Sequence, residues 1–177
     1  KEIIPKLHQA IANDLIEAAD YDNAISRLET AAKLAGEYGA EEIAEKANAL
    51  IPQVLGLKAG NLLNEKKFAE AAEAYKKVLE LKPEDGTSAL RLGVALNSTG
   101  KTEEAKEALK LAAANGQEAT ANKQLSNICL REAANALKAK SYAKAVEAAE
   151  EACSYSENPQ AYQIAGQASQ LSGKNAD

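Results

Sequence analysis

Four segments of the chain carry the same alternation of apolar and polar positions. They begin at Tyr21, Phe68, Thr102 and Tyr142, and each has an alanine three residues on: Ala24, Ala71, Ala105 and Ala145. Further apolar or small residues follow at steps of three and four: Leu28 and Ala31, Tyr75 and Val78, Leu109 and Ala112, Ala149 and Ala152. That spacing returns to one face of an α-helix. Charged residues fill the remaining positions, Lys76, Lys77 and Glu80 in the second copy and Glu103, Lys106 and Glu107 in the third. They are expected on solvated faces.

A second apolar stripe precedes each segment. It is Ala89, Leu92, Gly93 and Leu96 before the third copy, and His8, Ile11, Ala12 and Leu15 before the first. The link between stripes is short, as in Ser98 to Lys101. Gly100 can take a left-handed conformation there without strain. Thr102 is placed to cap the following helix through its hydroxyl. Each unit therefore reads as a hairpin of two helices.

Phe68 and Thr102 stand 34 positions apart. The third copy runs Ala89-x2-Leu92-Gly93-x2-Leu96, then Ala105-x3-Leu109; the second has Leu55, Ala59 and Leu62, then Ala71-x3-Tyr75 and Pro83. A fifth first-helix pattern, Tyr162-x2-Ala165-Gly166-x2-Ser169, closes the series. In period and motif the chain resembles the tetratricopeptide repeat family. The resemblance implies an all-α fold, a right-handed superhelical solenoid of antiparallel helix hairpins. It comprises about four such repeats plus a C-terminal capping helix. A single domain over 1–177 is expected, with units at 5–36, 40–84, 86–115 and 119–156 and a final helix at 159–172. In that helix Tyr162, Ala165 and Leu171 are expected to face inward. The first helices would line a concave side.

Two spacings are long, 47 from Tyr21 to Phe68 and 40 from Thr102 to Tyr142. Ile43, Ala47, Leu50 and Val54 keep a helical period through the first insertion, which predicts a lengthened first helix, kinked or broken near Pro52. The residues from Gln117 to Leu125 predict a second lengthened helix. The fourth unit departs further, with Glu132 where the family prefers Leu and Ala149 where it prefers an aromatic.

Composition narrows the function. A net charge of −5 and a pI near 5.1 argue against nucleic acid, whose phosphates are bound by clustered Lys and Arg. No apolar run approaches a membrane span, so no membrane insertion is expected. The chain starts at Lys1 without an initiator Met. It is expected to be a processed chain or a piece of a longer one, with any targeting segment outside it. Two cysteines and one histidine fall short of a structural zinc site, and no metal or cofactor is expected. Cys129 is placed at the opening of the fourth unit's first helix and Cys153 at the end of its second. They are expected as free core thiols, with a disulfide the alternative. His8 is expected to pack. Ala95-x4-Gly100-Lys101-Thr102 approximates a phosphate-binding string, but it spans a helix end and a turn rather than a strand and a helix. Asn97-Ser98-Thr99 fits a glycosylation acceptor by chance composition. Glutamate pairs such as Glu103-Glu104 and Glu150-Glu151 read as solvated surface. No catalytic set assembles, so an enzyme is not expected.

The resemblance places partner contacts on the first helices. The candidate residues are Lys6 and Asn13, then Asn61, then Arg91 and Asn97, then Asn127, Arg131 and Lys138, and finally Gln163 and Gln167. One subset of the family grips a C-terminal carboxylate with Lys, Asn and Arg, and only Lys6, Asn13, Arg91 and Arg131 partly match it. Arg91 and Arg131 stand at equivalent places in successive copies, and Arg suits carboxylates through paired bonds. The expected function is a protein–protein interaction scaffold binding a peptide or helix of a partner in the concave groove, with an acidic or polar extended segment as the expected ligand. The alternative is a regulatory or assembly segment of a larger multidomain enzyme or sensor.

Overall fold

The structure, a computed structural model, describes residues 2–174. Among them nine α-helices follow one another: α1 (Ile3–Glu17), α2 (Tyr21–Glu37), α3 (Glu41–Asn64), α4 (Phe68–Leu81), α5 (Gly86–Ser98), α6 (Thr102–Ala112), α7 (Glu118–Lys138), α8 (Tyr142–Tyr155) and α9 (Pro159–Lys174). Each helix packs mainly on its neighbours in sequence, with α1 also meeting α3 and α7 meeting α9. Contacts of that kind build a solenoid rather than a closed globule.

One turn is repeated within every hairpin. The residue two before the second helix has a left-handed backbone: Ala19 (φ 58°), Lys66 (61°), Gly100 (81°) and Lys140 (59°). The next amide donates back to a carbonyl five residues earlier, from Asp20 to Leu15 at 2.8 Å, Lys67 to Leu62 at 2.9 Å, Lys101 to Leu96 at 3.0 Å and Ser141 to Ala136 at 2.9 Å. These bonds satisfy carbonyls that the helix end leaves open. The left-handed turn expected at Gly100 is therefore present, and three non-glycine residues adopt it too. Thr102 does not cap: it is the first residue of α6, Lys101 holds the cap position, and no side chain bonds there. Asp85 does cap α5, its carboxylate accepting from the Ser88 amide at 3.0 Å and the Ser88 hydroxyl at 2.8 Å.

Alanine dominates the buried faces of the second helices α2, α4, α6 and α8, and the large fillers across the stack are Leu28, Tyr75, Leu109, Leu125 and Ile128. The central cluster joins α3 through α7, and smaller clusters tie α1–α3 at one end and α7–α9 at the other. Small residues set the helix spacing. A Cβ added to Gly93 would lie 2.6 Å from Leu109 Cγ and 3.2 Å from the Ala105 carbonyl, so α5 and α6 touch at close range.

Both lengthened first helices are present. α3 is one unbroken helix of 24 residues that contains Pro52, so the expected break does not occur. Packing of both halves, Ile43 and Ala47 before the proline and Leu55 and Ala59 after it, outweighs one lost backbone bond. At the second insertion the joint is a kink. Between α6 and α7 the backbone leaves helical geometry at Asn115 (φ −113°, ψ 43°) and at Gly116, which is left-handed (φ 84°). α5 starts hard against this joint, since a Cβ on Gly86 would sit 2.1 Å from the Asn115 carbonyl oxygen.

Two expectations are corrected. Cys129 lies in the middle of α7 rather than at its opening, because α7 already begins at Glu118. In α9 Tyr162 is 61% exposed while Ala161 and Ala168 are fully buried, so the inward stripe runs one residue earlier than its motif suggests. His8 is half-buried at the surface, where Arg27 Nη1 lies 3.4 Å from its Nδ1.

Candidate peptide-binding groove

The first helices α3, α5, α7 and α9 each present a polar stripe beside their buried one. On α7, Asn127 and Arg131 are one turn apart, and on α9 Gln163 and Gln167 repeat that spacing. A shallow cleft between the two helices brings these four together with Gln160, over a floor of Leu130 and Ile164, and encloses about 480 Å³. Arg131 Nη2 also donates to Asn97 Oδ1 of α5 at 2.6 Å. This bond ties three successive first helices into one surface of amides around an exposed guanidinium.

Arg91 stands one repeat away on α5, exposed. Its Nη1 and the Tyr75 hydroxyl both lie 3.8 Å from where a Cβ on Gly60 would be. Tyr75 is fully buried and its hydroxyl makes no hydrogen bond. Burial pushes the phenol above its ordinary range, against the pull of the neighbouring Arg91.

The other candidates lie apart. Lys6 pairs with Glu2 at 2.6 Å on the exposed start of α1, and Asn13 is exposed on the same helix. Asn61 turns to α2, its amide donating to the Tyr21 hydroxyl at 3.0 Å. Lys138 is exposed in the last turn of α7, where a cation suits the helix dipole.

One polar cluster goes beyond the sequence-based expectation. Lys106, expected on a solvated face, is 7% exposed. Its ammonium donates to Glu132 at 2.7 Å and to Glu151 at 3.4 Å, linking α6, α7 and α8. Glu151, expected among solvated glutamates, is thus turned into the stack, and its other oxygen accepts from the Tyr155 hydroxyl at 3.4 Å. Burial alone would lower the Lys106 pKa, but the bond to Glu132 and the surrounding negative charges raise it, so the lysine is a cation. Glu132 stands where the repeat prefers Leu because Lys106 reaches it; the pairing could have been sought once the odd Glu was noticed. Cys129 lies beside this cluster, and burial pushes its thiol up to about 11. Cys129, Glu132 and Glu151 are close enough to suggest three metal ligands, but the Lys106 ammonium already supplies the positive charge between the carboxylates. Cys129 and Cys153 are both free thiols.

No helix among the described residues is long and apolar enough to cross a membrane. The tetratricopeptide repeat model matches residues 62–125, from the end of α3 through α4, α5 and α6 to the first two turns of α7. No curated protein sequence matches the chain. Among solved structures, a crystal structure of MamA protein is similar at TM-score 0.50 and 21% identity, covering 96% of this chain and 83% of that one. The first TPR of Spaghetti bound to an HSP90 peptide aligns at TM-score 0.42 and 19% identity, covering 69% of this chain and 93% of that one. The repeated hairpin turn, the neighbour-only packing and the matched central repeats agree: residues 62–125 match the tetratricopeptide repeat family, and the helix hairpins on either side are built on the same plan.

Proposed function

We propose that the chain is a non-catalytic protein–protein interaction scaffold whose first helices hold an extended, acidic or polar segment of a partner. The observation that carries this reading is the continuous surface formed by Asn97, Asn127, Arg131, Gln163 and Gln167. Amides offer both donors and acceptors to an extended backbone, and a guanidinium binds a carboxylate through two parallel bonds. Arg91, one repeat away, extends the same preference along the stack. The chain as a whole is acidic, so two arginines on this face give the groove a local sign opposite to the rest. That contrast favours correct orientation of an acidic ligand more than raw affinity.

The test uses labelled peptides with alternating Glu and Ser, and Lys counterparts of equal length, read by fluorescence anisotropy. The Glu peptides are expected to bind and the Lys peptides to be rejected by this face. Arg91→Glu/Arg131→Glu is expected to weaken Glu-peptide binding about tenfold or more while leaving the helical circular dichroism unchanged. Equal binding by the native and doubly reversed proteins would remove the groove from consideration.

A further inference from the structure

A larger cleft lies away from this groove, between the second helices α2 and α4 over the exposed flank of α3. It encloses about 780 Å³. α2 and α4 both pack on α3 and scarcely on each other, so a slot stays open between them. Its floor is apolar: Ile51, Leu55 and Leu62 of α3, with Ile25 of α2 and Ala74 and Leu81 of α4 along the walls. Leu81 is 54% exposed. The contributing positions on α3 span three turns of helix, about 16 Å at the standard rise.

The rim has a sign. Five carboxylates and two lysines line the cleft. Lys58 is bound to Asp22, and Glu73 is bound to Lys76. Glu29 on one wall and Glu70 and Glu80 on the other make no ion pair among the described residues. An apolar trough about three turns long, with uncommitted carboxylates on both edges, complements an amphipathic helix with one apolar stripe and cationic flanks. Such a helix would lie on three existing ones as a further layer, its ridges entering the grooves between them.

We propose that this outer cleft is a second docking surface and that it takes a basic amphipathic helix of a partner. It is separate in position and in charge preference from the groove on the first helices, so one molecule can hold two segments of opposite charge.

The experiment measures anisotropy of a labelled peptide of about 14 residues, with Leu at i, i+3, i+4 and i+7 and Lys at most other positions. Two controls share its length: a Glu-for-Lys twin, and a scrambled Lys peptide of identical composition without the stripe. The striped Lys peptide is expected to bind and both controls to bind at least tenfold more weakly. Glu29→Gln/Glu70→Gln/Glu80→Gln is expected to weaken it about tenfold. Ser26→Arg, an exposed wall position that would fill the slot with a like charge, is expected to abolish it. Arg91→Glu/Arg131→Glu is expected to leave it unchanged, which keeps this surface distinguishable from the groove. The proposal is overturned if the striped peptide does not bind, if the scrambled one binds equally well, or if neither cleft variant changes the affinity.

Discussion

Single residues in this chain carry conformations that their side chains do not favour. Ala19, Lys66 and Lys140 occupy the left-handed region that the third hairpin gives to Gly100. A left-handed non-glycine residue costs about 1–2 kcal/mol, and glycine returns part of any gain by loosening the unfolded chain. Lys140→Gly is therefore expected to stabilise by about 0.5–1 kcal/mol, read as a higher urea midpoint with unchanged slope. Gly93→Ala is expected to act in the opposite direction, by about 1–3 kcal/mol, since its Cβ would press on Leu109 and the Ala105 carbonyl. Asp85 adds a pH dependence. Burial lifts its carboxyl, but the Ser88 amide and hydroxyl bonds win and hold it below its ordinary value of 3.8. Its cap therefore stabilises above that value and is lost as pH falls through the lowered pKa. Asp85→Ala should cost about 1 kcal/mol at neutral pH, and its deficit should shrink in acid melts below pH 3.8. The thiols are separable too: Cys153 is expected to react with a maleimide well before Cys129, which is buried and protonated at neutral pH.

At the scale of elements, the sequence pattern carried the hairpins because a period of three and four is what a half-buried helix imposes on its residues. It failed where packing overrode a local rule. Pro52 reads as a break, yet the apolar stripe on both sides holds α3 together. Glu132 reads as a weak repeat, and Lys106 reads as surface, because a bond between residues 26 positions apart on different helices leaves no local periodic trace. The candidate site was legible in the same uneven way. The stripe Asn127, Arg131, Gln163 and Gln167 follows from helical spacing on α7 and α9, whereas the bond from Asn61 to Tyr21 joins two helices and leaves no trace in the spacing of either. The three-helix ion cluster invites a double-mutant cycle. Lys106→Met removes the ammonium from two carboxylates and Glu132→Leu leaves it only the longer contact to Glu151, and each is expected to cost about 1–3 kcal/mol, discounted for the partial exposure of the glutamates. The Lys106→Met/Glu132→Leu protein should recover part of that loss, because an apolar pair packs between α6 and α7 while Glu151 keeps its bond from the Tyr155 hydroxyl. Additive losses in thermal melts would mean that the two side chains act independently.

Over the whole molecule, the central cluster spans α3 to α7 and the end clusters are smaller. Stability in such a stack is a sum over neighbouring units rather than one shared core. Amide exchange is accordingly expected to be slowest in α4 to α6 and to quicken toward α1 and α9. Uniform protection from end to end would show a cooperativity that neighbour contacts do not provide.

The wedged joint between α6 and α7 has a mechanical meaning. A stack of hairpins behaves as a spring, and its compliance collects at joints that other elements do not brace. Residues 82–85 link α4 and α5 as a short turn, whereas the kink between α6 and α7 at Asn115 and Gly116 has the start of α5, at Gly86, wedged against it. Load applied along the axis is therefore expected to flex the first half of the stack while α5 to α8 turn as a stiff block. Spin labels placed on α3 and α5, which span residues 82–85, should report a broader distribution of separations than a pair on α6 and α8.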